Sequence, residues 1–391
     1  MEGSYIVMDN KKVIFTPCET YLEDDVNSAL EKLFQELGGL NRFVQPGQKV
    51  LLKVNLLMKK PPEAAVTTHP ALVEALINKI HALGAKVIIA DSPGGPFTRI
   101  WLKGIYQDTG MEEVAARTGA ELNWNFEQKE YPNPEGKILK QITLAKIIKE
   151  VDVVLSMAKL KTHGFTIYTG AVKNLFGTIP GLLKAEYHLR MSDVRDFCDM
   201  LVDVAQFVKP ALSIMDAVIA MEGAGPSAGD PKQVGLLAAS TNPHALDLAC
   251  CHLIGIEPKR VFTLQKAIDR GLIPMDIKGL EIRGIDINNF NHIPFKVPIT
   301  SRARHVPIPL PAKLDAFFYK ILRPYPYFNH EKCVGCAICA RDCPAKCIKM
   351  VNGKPQADLS SCIRCFCCQE LCSYQAVEIK RGKLSRLLFR Q

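Results

Sequence analysis

From residue 45 onward, the chain alternates short aliphatic runs with longer segments that carry apolar residues at helical spacing. The runs at 49–55 and 86–92 are rich in Val, Ile and Leu and predict buried strands, and residues 69–83 between them predict a helix. A strand, a helix and a second strand in this order are typical of proteins with a largely parallel sheet. The pattern therefore predicts a layered α/β body.

The same alternation continues to about residue 270. Residues 154–157 and 211–218 are the next predicted strands, with a helix at 192–208 between them. A last strand at 234–239 and helices at 243–253 and 259–270 complete the predicted elements. We assign residues 1–300 to this body, because a length of 391 residues predicts more than one domain.

Polar residues follow the predicted strands, at the edge where an open parallel sheet binds its ligands. They are Lys53 and Asn55 after the first strand, residues 91–95 after the second, residues 159–164 after the third, and Asp216 and Glu222 later in the chain. Gly94 and Gly95 either present backbone N–H groups to an anion or form an ordinary tight turn, since their loop matches neither the P-loop nor the dinucleotide-binding fingerprint. We take all of these residues as candidates for ligand binding.

Basic residues are concentrated between residues 159 and 174, where a helix is predicted to open at a glycine. The members of this group are Lys159, Lys161, His163, Lys173 and Asn174. If they converge on one cleft, they would bind a carboxylate or phosphate, and a desolvated lysine would have a lowered pKa that suits proton transfer. The alternative is a set of unrelated surface lysines with a capping histidine.

Ten of the fourteen cysteines lie between Cys333 and Cys372. Eight of these form two copies of the spacing C-x2-C-x2-C-x3-C, which is typical of bacterial ferredoxins with two [4Fe–4S] clusters. In such runs the fourth cysteine ligates the other cluster. The spacing thus predicts one cluster on Cys333, Cys336, Cys339 and Cys372, and another on Cys362, Cys365, Cys368 and Cys343. We expect residues 331–380 to form a small ferredoxin-type α+β domain.

Zinc binding and a disulfide framework are the alternatives for these cysteines. Zinc usually takes two C-x2-C pairs, and the first residues do not resemble an export signal. Cys347 and Cys367 fall outside the two runs and are either small buried hydrophobes or additional ligands. With no long apolar segment in the sequence, we expect a cytoplasmic protein of an anaerobe, because exposed clusters and free thiols are sensitive to oxygen.

The formal net charge of +9 is unevenly distributed. Lys and Arg outnumber Asp and Glu in a Pro-rich linker at 301–330 and in a tail at 381–391, whereas the body is nearly neutral. This distribution argues against a nucleic-acid-binding body. The basic segments at 312–322 and 383–390 are predicted to contact an anionic membrane surface or a redox partner protein, or else to pack one domain against the other.

The candidate residues of the body lie in motifs that resemble the domain-of-unknown-function family numbered 362. The motifs are residues 53–55, 159–164, 170–177, 216, 221–226 and 243–247. The resemblance spans roughly residues 45–285, and many members of this family join a two-cluster ferredoxin module at the C-terminus. It implies an iron–sulfur protein with a ligand site at the matched positions.

The leading functional hypothesis is an oxidoreductase whose two clusters pass single electrons to an anionic substrate or cofactor in the body. Lys53, Asn55, Lys161 and Lys173 would hold the anion, His163 or Lys161 would donate a proton, and Glu222 or Asp216 would orient that donor. A further organic cofactor is left open. The alternatives are a non-catalytic electron carrier or maturation partner of a larger redox enzyme, and an isomerase or hydrolase with purely structural clusters.

Overall fold

A computed structural model describes residues 10–287, 293–298 and 323–382. The predicted basic segments at 312–322 and 383–390 lie outside the described residues, as does most of the Pro-rich linker. Within the described ranges, every helix is too short or too polar to cross a lipid bilayer.

The body is built on one large sheet. The strands of the body are β1 (Lys12–Pro17), β2 (Lys49–Lys53), β3 (Lys86–Ala90), β4 (Glu121–Leu122), β5 (Gln128–Pro132), β6 (Gln141–Ala145), β7 (Val153–His163), β8 (Ile167–Thr169), β9 (Leu212–Glu222), β10 (Asp230–Ser240) and β11 (Glu281–Arg283), and all except β5 and β6 belong to this sheet. The strand order is β11-β1-β10-β9-β7-β2-β3-β4, and β8 pairs with β7 beside this path. Strands β5 and β6 form a separate antiparallel hairpin.

The central pairings of the sheet are parallel, which confirms the predicted α/β fold. Each neighbouring pair is parallel in the series β9, β7, β2, β3 and β4. Strand β10 departs from this pattern, since it is antiparallel to both β9 and β1. The short connection between β9 and β10 explains the difference, because a parallel crossover needs a dozen or more residues.

Helices cover both faces of this sheet. They are α1 (Glu23–Leu37), α2 (Pro70–Ala82), α3 (Arg99–Asp108), α4 (Met111–Thr118), α5 (Ala171–Asn174), α6 (Leu183–Arg190), α7 (Val194–Val208), α8 (Pro243–Leu253) and α9 (Phe262–Asp269). Ile14 and Leu52 pack with helices α1 to α4 on one face, whereas Phe15 and Leu51 pack on the other face with α8 and α7. Successive side chains of a strand point to opposite faces, so the aliphatic runs are buried on both sides.

The C-terminal part forms a small α+β unit. Its strands are β12 (Tyr325–Phe328), β13 (Ile348–Val351), β14 (Lys354–Ala357) and β15 (Val377–Lys380), and its short helices are α10 (Ile338–Arg341) and α11 (Cys367–Glu370). Strand β12 pairs with β15 and β13 with β14, both antiparallel. Buried cysteines make up much of the core of this unit, together with Ile348 and Val377.

Candidate functional site

A cavity of about 820 Å³ lies beyond the carboxyl ends of β2 and β3. This volume includes space that is open to solvent. Helices α5 and α6 form part of the wall, and α11 contributes to it from the C-terminal unit. The predicted residues that line it are Lys53, Asn55, Gly94, Gly95, Lys161, Lys173 and Asn174.

Lys53 is the centre of a buried polar network at the end of β2. Its side chain is 1% exposed and its Nζ lies 2.8 Å from Asp91 Oδ1. The same Nζ donates to Asn174 Oδ1 at 3.1 Å, and Asn174 Nδ2 donates to Ser156 Oγ at 3.0 Å. Burial lowers the pKa of Lys53, and Asp91 opposes that shift. Lys53 therefore already has a carboxylate partner within the protein.

Lys161 projects from the extended end of β7, and its hydrogen-bond partners within the described residues are neutral. Its Nζ donates to Asn55 Oδ1 and to the carbonyl oxygen of Val66, both at 2.7 Å. Burial, and then the nearby Lys173 ammonium, lower the pKa of Lys161 to about 7. Lys161 is therefore a buried amine that gains or loses its proton near neutral pH.

Glu370 reaches the cavity from α11. Its Oε1 lies 3.6 Å from His163 Nε2 and 3.8 Å from Lys173 Nζ. His163 Nδ1 accepts the backbone N–H groups of Phe165 and Thr166, so the ring proton is on Nε2 and points to Glu370. Burial, and then Lys173, lower the pKa of His163 to about 4. His163 does not itself line the cavity, but contacts a residue that does.

Two polar residues of α6, Lys184 and His188, line the cavity although the sequence analysis did not select them. Lys184 Nζ donates to Ser92 Oγ at 3.0 Å and to the carbonyl oxygen of Ile179 at 2.7 Å. Burial lowers the pKa of Lys184 to about 7. His188 follows one turn later on the same helix face and is 4% exposed. The i, i+4 spacing of Lys184 and His188 could have indicated from the sequence that both side chains share one helix face.

The structure does not bring Asp216 or Glu222 next to the predicted proton donors Lys161 and His163. Asp216 is bound to Tyr21 and to Lys159, and Tyr21 OH lies 2.7 Å from Asp216 Oδ1. Glu222 Oε2 accepts from Lys232 Nζ at 2.9 Å. Neither carboxylate lines the cavity or contacts Lys161 or His163. Asn55 lies beside Lys161 instead, and Glu370 lies beside His163.

The Gly94–Gly95 loop lines the cavity, but its Gly94 amide is already used. The Gly94 N–H donates to the carbonyl oxygen of Leu57 at 3.3 Å, and the Gly94 carbonyl accepts from Trp101 Nε1 at 2.9 Å. A Cβ added at Gly94 would lie 2.6 Å from Leu371 Cδ2 of the C-terminal unit. The small residue therefore allows close packing between the two parts of the chain, which favours the tight-turn interpretation.

Two smaller cavities of the C-terminal unit are walled by cysteines. One, of about 390 Å³, is lined by Cys333, Cys336, Cys339 and Cys372. The other, of about 310 Å³, is lined by Cys343, Cys362, Cys365 and Cys368, together with Cys347. In each set one cysteine comes from the other sequence run. None of these cysteines forms a disulfide within the described residues.

The C-terminal unit packs directly on the body beside the cavity. Gln369 Nε2 donates to the carbonyl oxygen of Ala224 at 2.8 Å, and Lys60 Nζ donates to that of Ser373 at 2.8 Å. Leu371 lines both the large cavity and the first cysteine cavity. The turn around α11 therefore separates the body cavity from the cysteine sets.

Residues 50–252, just over half of the 391 residues, match the model of the family described as Domain of unknown function (DUF362). The chain belongs to the DUF362 family. The thylakoid-associated protein sll1697 of Synechocystis sp. (strain ATCC 27184 / PCC 6803 / Kazusa) is 34% identical over 265 residues, which cover 68% of this chain and 81% of that protein.

Two solved structures show a partial likeness to the chain. The lactate racemase apoprotein from Thermoanaerobacterium thermosaccharolyticum is 16% identical with a TM-score of 0.38, and the match covers 64% of this chain and 59% of the other. A protein from Thermotoga maritima is 14% identical with a TM-score of 0.29, and the match covers 51% of each chain.

Within the DUF362 segment, Asp247 holds the short helix α5 in place. Its carboxylate accepts the backbone N–H groups of Ala171 at 2.6 Å and Val172 at 3.0 Å. Helix α5 carries Lys173 and Asn174 toward the cavity. The motif at 243–247 therefore positions the motif at 170–177, which contains α5. Helix α5 begins after Gly170, as predicted.

We expect Gly177→Ala to destabilise the body by about 1–3 kcal/mol, because a Cβ there would overpack a buried ion pair. It would collide with Asp91 Oδ1 and lie 2.7 Å from Lys53 Nζ. Urea unfolding followed by tryptophan fluorescence measures this effect. Gly104→Ala in α3 is the control, since the atoms nearest to its Cβ belong to the end of the flexible Lys59 side chain and alanine favours a helix. Equal stability of the two variants would contradict the prediction.

Proposed function

We propose that this chain is an iron–sulfur oxidoreductase whose two [4Fe–4S] clusters pass single electrons to an anionic substrate or cofactor in the cavity. One observation carries the proposal: lysines of the body and the α11 residues Cys367 and Glu370 line the same cavity. The neighbours of Cys367 along the chain include Cys365 and Cys368, which line the second cysteine cavity. A ligand held by the lysines would therefore lie next to the second cysteine set.

Both cysteine cavities fit the proposed clusters. Each has three cysteines of one run and the fourth cysteine of the other run in its wall, which is the ligand set of two-cluster ferredoxins. Apolar residues such as Ile338 and Ile348 complete the walls. When bound, such clusters exchange single electrons at potentials that depend on burial and hydrogen bonding.

The charge of the large cavity favours an anionic ligand. Four lysines line it, and two of them have acidic partners, Lys53 with Asp91 and Lys173 with Glu370. Lys161 and Lys184 have only neutral hydrogen-bond partners among the described residues. A carboxylate or phosphate would supply the missing negative charge and raise the pKa of both amines.

Lys161 is the proposed proton donor rather than His163. A pKa of about 7 lets the Lys161 ammonium both hold and release a proton near neutral pH, which is the condition for efficient general acid catalysis. The pKa of His163, about 4, keeps its ring neutral under the same conditions. Asn55, which accepts from Lys161 at 2.7 Å, orients the amine toward the ligand.

Reoxidation of the reduced protein tests the proposal. The protein is purified without oxygen, its iron and sulfide contents are checked, and dithionite reduces the clusters before oxidised carboxylate and phosphate compounds are added. We expect at least one compound to reoxidise the clusters, and Lys161→Met to slow that step by about 100-fold or more. If every compound fails, or if Lys161→Met reacts like the wild type, the proposal is wrong. Reoxidation that requires an added partner protein would favour an electron carrier.

We expect anion affinity to fall as pH rises above about 7, because Lys161 and Lys184 lose their positive charge there. Calorimetric titration with sulfate measures this, since the charge of sulfate is constant over the range. Each titrating amine contributes up to about one log unit of affinity per pH unit. Lys161→Met should therefore lower the slope by about one, whereas Lys86→Met, at the opposite end of β3, should leave it unchanged. An unchanged slope in Lys161→Met would contradict the prediction.

A further inference from the structure

We infer that His188, Cys367 and Glu370 bind one divalent first-row metal ion, at the junction of the body and the C-terminal unit. Each offers one ligand atom, and the three atoms lie within 4.8 Å of one another. All three residues line the large cavity. The inference does not depend on the proposed redox activity, and none of the three residues belongs to the eight-cysteine pattern.

Two helices bring these ligands together. Cys367 and Glu370 are three residues apart in α11, so their side chains share one face of that turn. Cys368 is next in the chain and lines the second cysteine cavity, whereas Cys367 lines the large cavity. His188 comes from α6 of the body. A metal ion here would therefore link the two parts of the chain.

His188 points to a ligand that the protein itself does not supply. It is 4% exposed, and its Nδ1 has no hydrogen-bond partner within the described ranges. Its ring is stacked on Phe197 with 4.2 Å between the ring centroids, and Phe165 and Phe176 pack around it. An unpartnered ring nitrogen in an aromatic pocket costs free energy, and a metal ion bound through that nitrogen would satisfy it.

The charges of the three ligands balance a divalent ion. A Cys367 thiolate and the Glu370 carboxylate together neutralise the two positive charges, so the ion and its three ligands would carry no net charge. Lys173 lies 3.8 Å from Glu370 Oε1 and opposes a cation, but Glu370 can serve both groups through its two oxygens. His163 Nε2, 3.6 Å from the same Oε1, would hold the carboxylate from outside the ligand shell.

One nitrogen, one sulfur and one oxygen ligand suit a borderline ion such as Zn²⁺ or Fe²⁺. Bond lengths of about 2.0–2.3 Å place the ligand atoms of a tetrahedral zinc site roughly 3.3–3.8 Å apart, so small side-chain rotations would close this site. Three protein ligands leave a coordination position open, as in catalytic zinc sites. That position would face the cavity and its anionic ligand.

Cobalt binding tests the inference. Protein purified without oxygen is checked for the iron and sulfide of two filled clusters, loaded with Co²⁺ and washed, and cobalt is measured by mass spectrometry. We expect one Co²⁺ per chain, with a cobalt-edge X-ray absorption spectrum that requires a sulfur ligand. The edge is specific for cobalt, so cluster iron does not interfere. Cobalt bound without sulfur would overturn the inference.

Ligand variants complete the test. Cys367→Ser and His188→Gln should each weaken Co²⁺ binding at least tenfold without loss of iron or sulfide. Cys18→Ser is the control, because this buried thiol donates to the carbonyl oxygen of Thr20 and a hydroxyl can do the same. If Cys367→Ser disturbs the clusters, His188→Gln decides, since His188 lies in the body. If His188→Gln keeps its clusters and binds Co²⁺ as tightly as the wild type, the inference is overturned. If the unmutated protein contains no clusters, that result counts against the redox proposal alone.

Discussion

Replacement of Cys372 by serine is expected to remove the cluster that we propose for Cys333, Cys336 and Cys339. Cys372 ends the second sequence run, yet it lines the first cysteine cavity. A cubane cluster is held by four cysteine thiolates, and this variant supplies only three of them. The variant should therefore lose about half of its iron and sulfide while the second cluster stays intact.

Electron paramagnetic resonance of the reduced protein distinguishes the two clusters. Cys372→Ser and Cys333→Ser should lose the same signal, whereas Cys343→Ser and Cys362→Ser should lose the other. Cys343 is the reciprocal control, because it ends the first run but lines the second cavity. If Cys372→Ser instead lost the same signal as Cys362→Ser, each run would hold its own cluster and the crossed ligand sets would be wrong.

The sequence predicted the sheet well where strands are buried on both faces. The runs that became β2, β3 and β7 are continuous aliphatic segments, and their parallel pairing follows from the helices between them. The direction of β10 was not predictable in this way, because it depends on the short turn after Glu222 rather than on the apolar pattern. Strand β1 and helix α1 precede the segment on which the prediction was based.

The candidate site was predicted from the body side alone. Lys53, Lys161 and Lys173 follow strands or open a helix, so the position of the sheet edge was enough to group them. Glu370 could not be found in this way, because it lies in the C-terminal unit more than two hundred residues from Lys161. Asp216 was grouped with them as well, but in the structure it contacts Tyr21, which precedes the segment from which the sheet was predicted.

The two parts of the chain depend on each other at this site. Glu370 supplies the carboxylate beside Lys173 and His163, and Cys367 and Leu371 complete the cavity wall. Without the C-terminal unit, Lys173 would lack this carboxylate partner and the cavity would open to solvent. In the proposed reductase, the electron donor and the bound ligand would therefore share one surface. An independent electron-carrier domain would not need such a shared surface.

Lys53→Met is expected to destabilise the body by about 3–5 kcal/mol, because it leaves the Asp91 carboxylate buried without its cation. Asp91 Oδ1 has no other hydrogen-bond partner in the described part of the chain, and the side chain is 3% exposed. Adding Asp91→Asn removes the uncompensated charge, while the amide oxygen can still accept from the Leu56 N–H. The double variant should therefore recover most of the lost stability.

Urea unfolding followed by tryptophan fluorescence measures this recovery in the body, since both tryptophans, Trp101 and Trp124, lie there. The exposed pair Lys79–Glu31, at 3.1 Å, is the matched control, and Lys79→Met should cost less than about 1 kcal/mol. A small loss in Lys53→Met would mean that water reaches Asp91. A double variant no more stable than Lys53→Met would mean that Lys53 stabilises the body through Asn174 and the end of β2, and not through its charge.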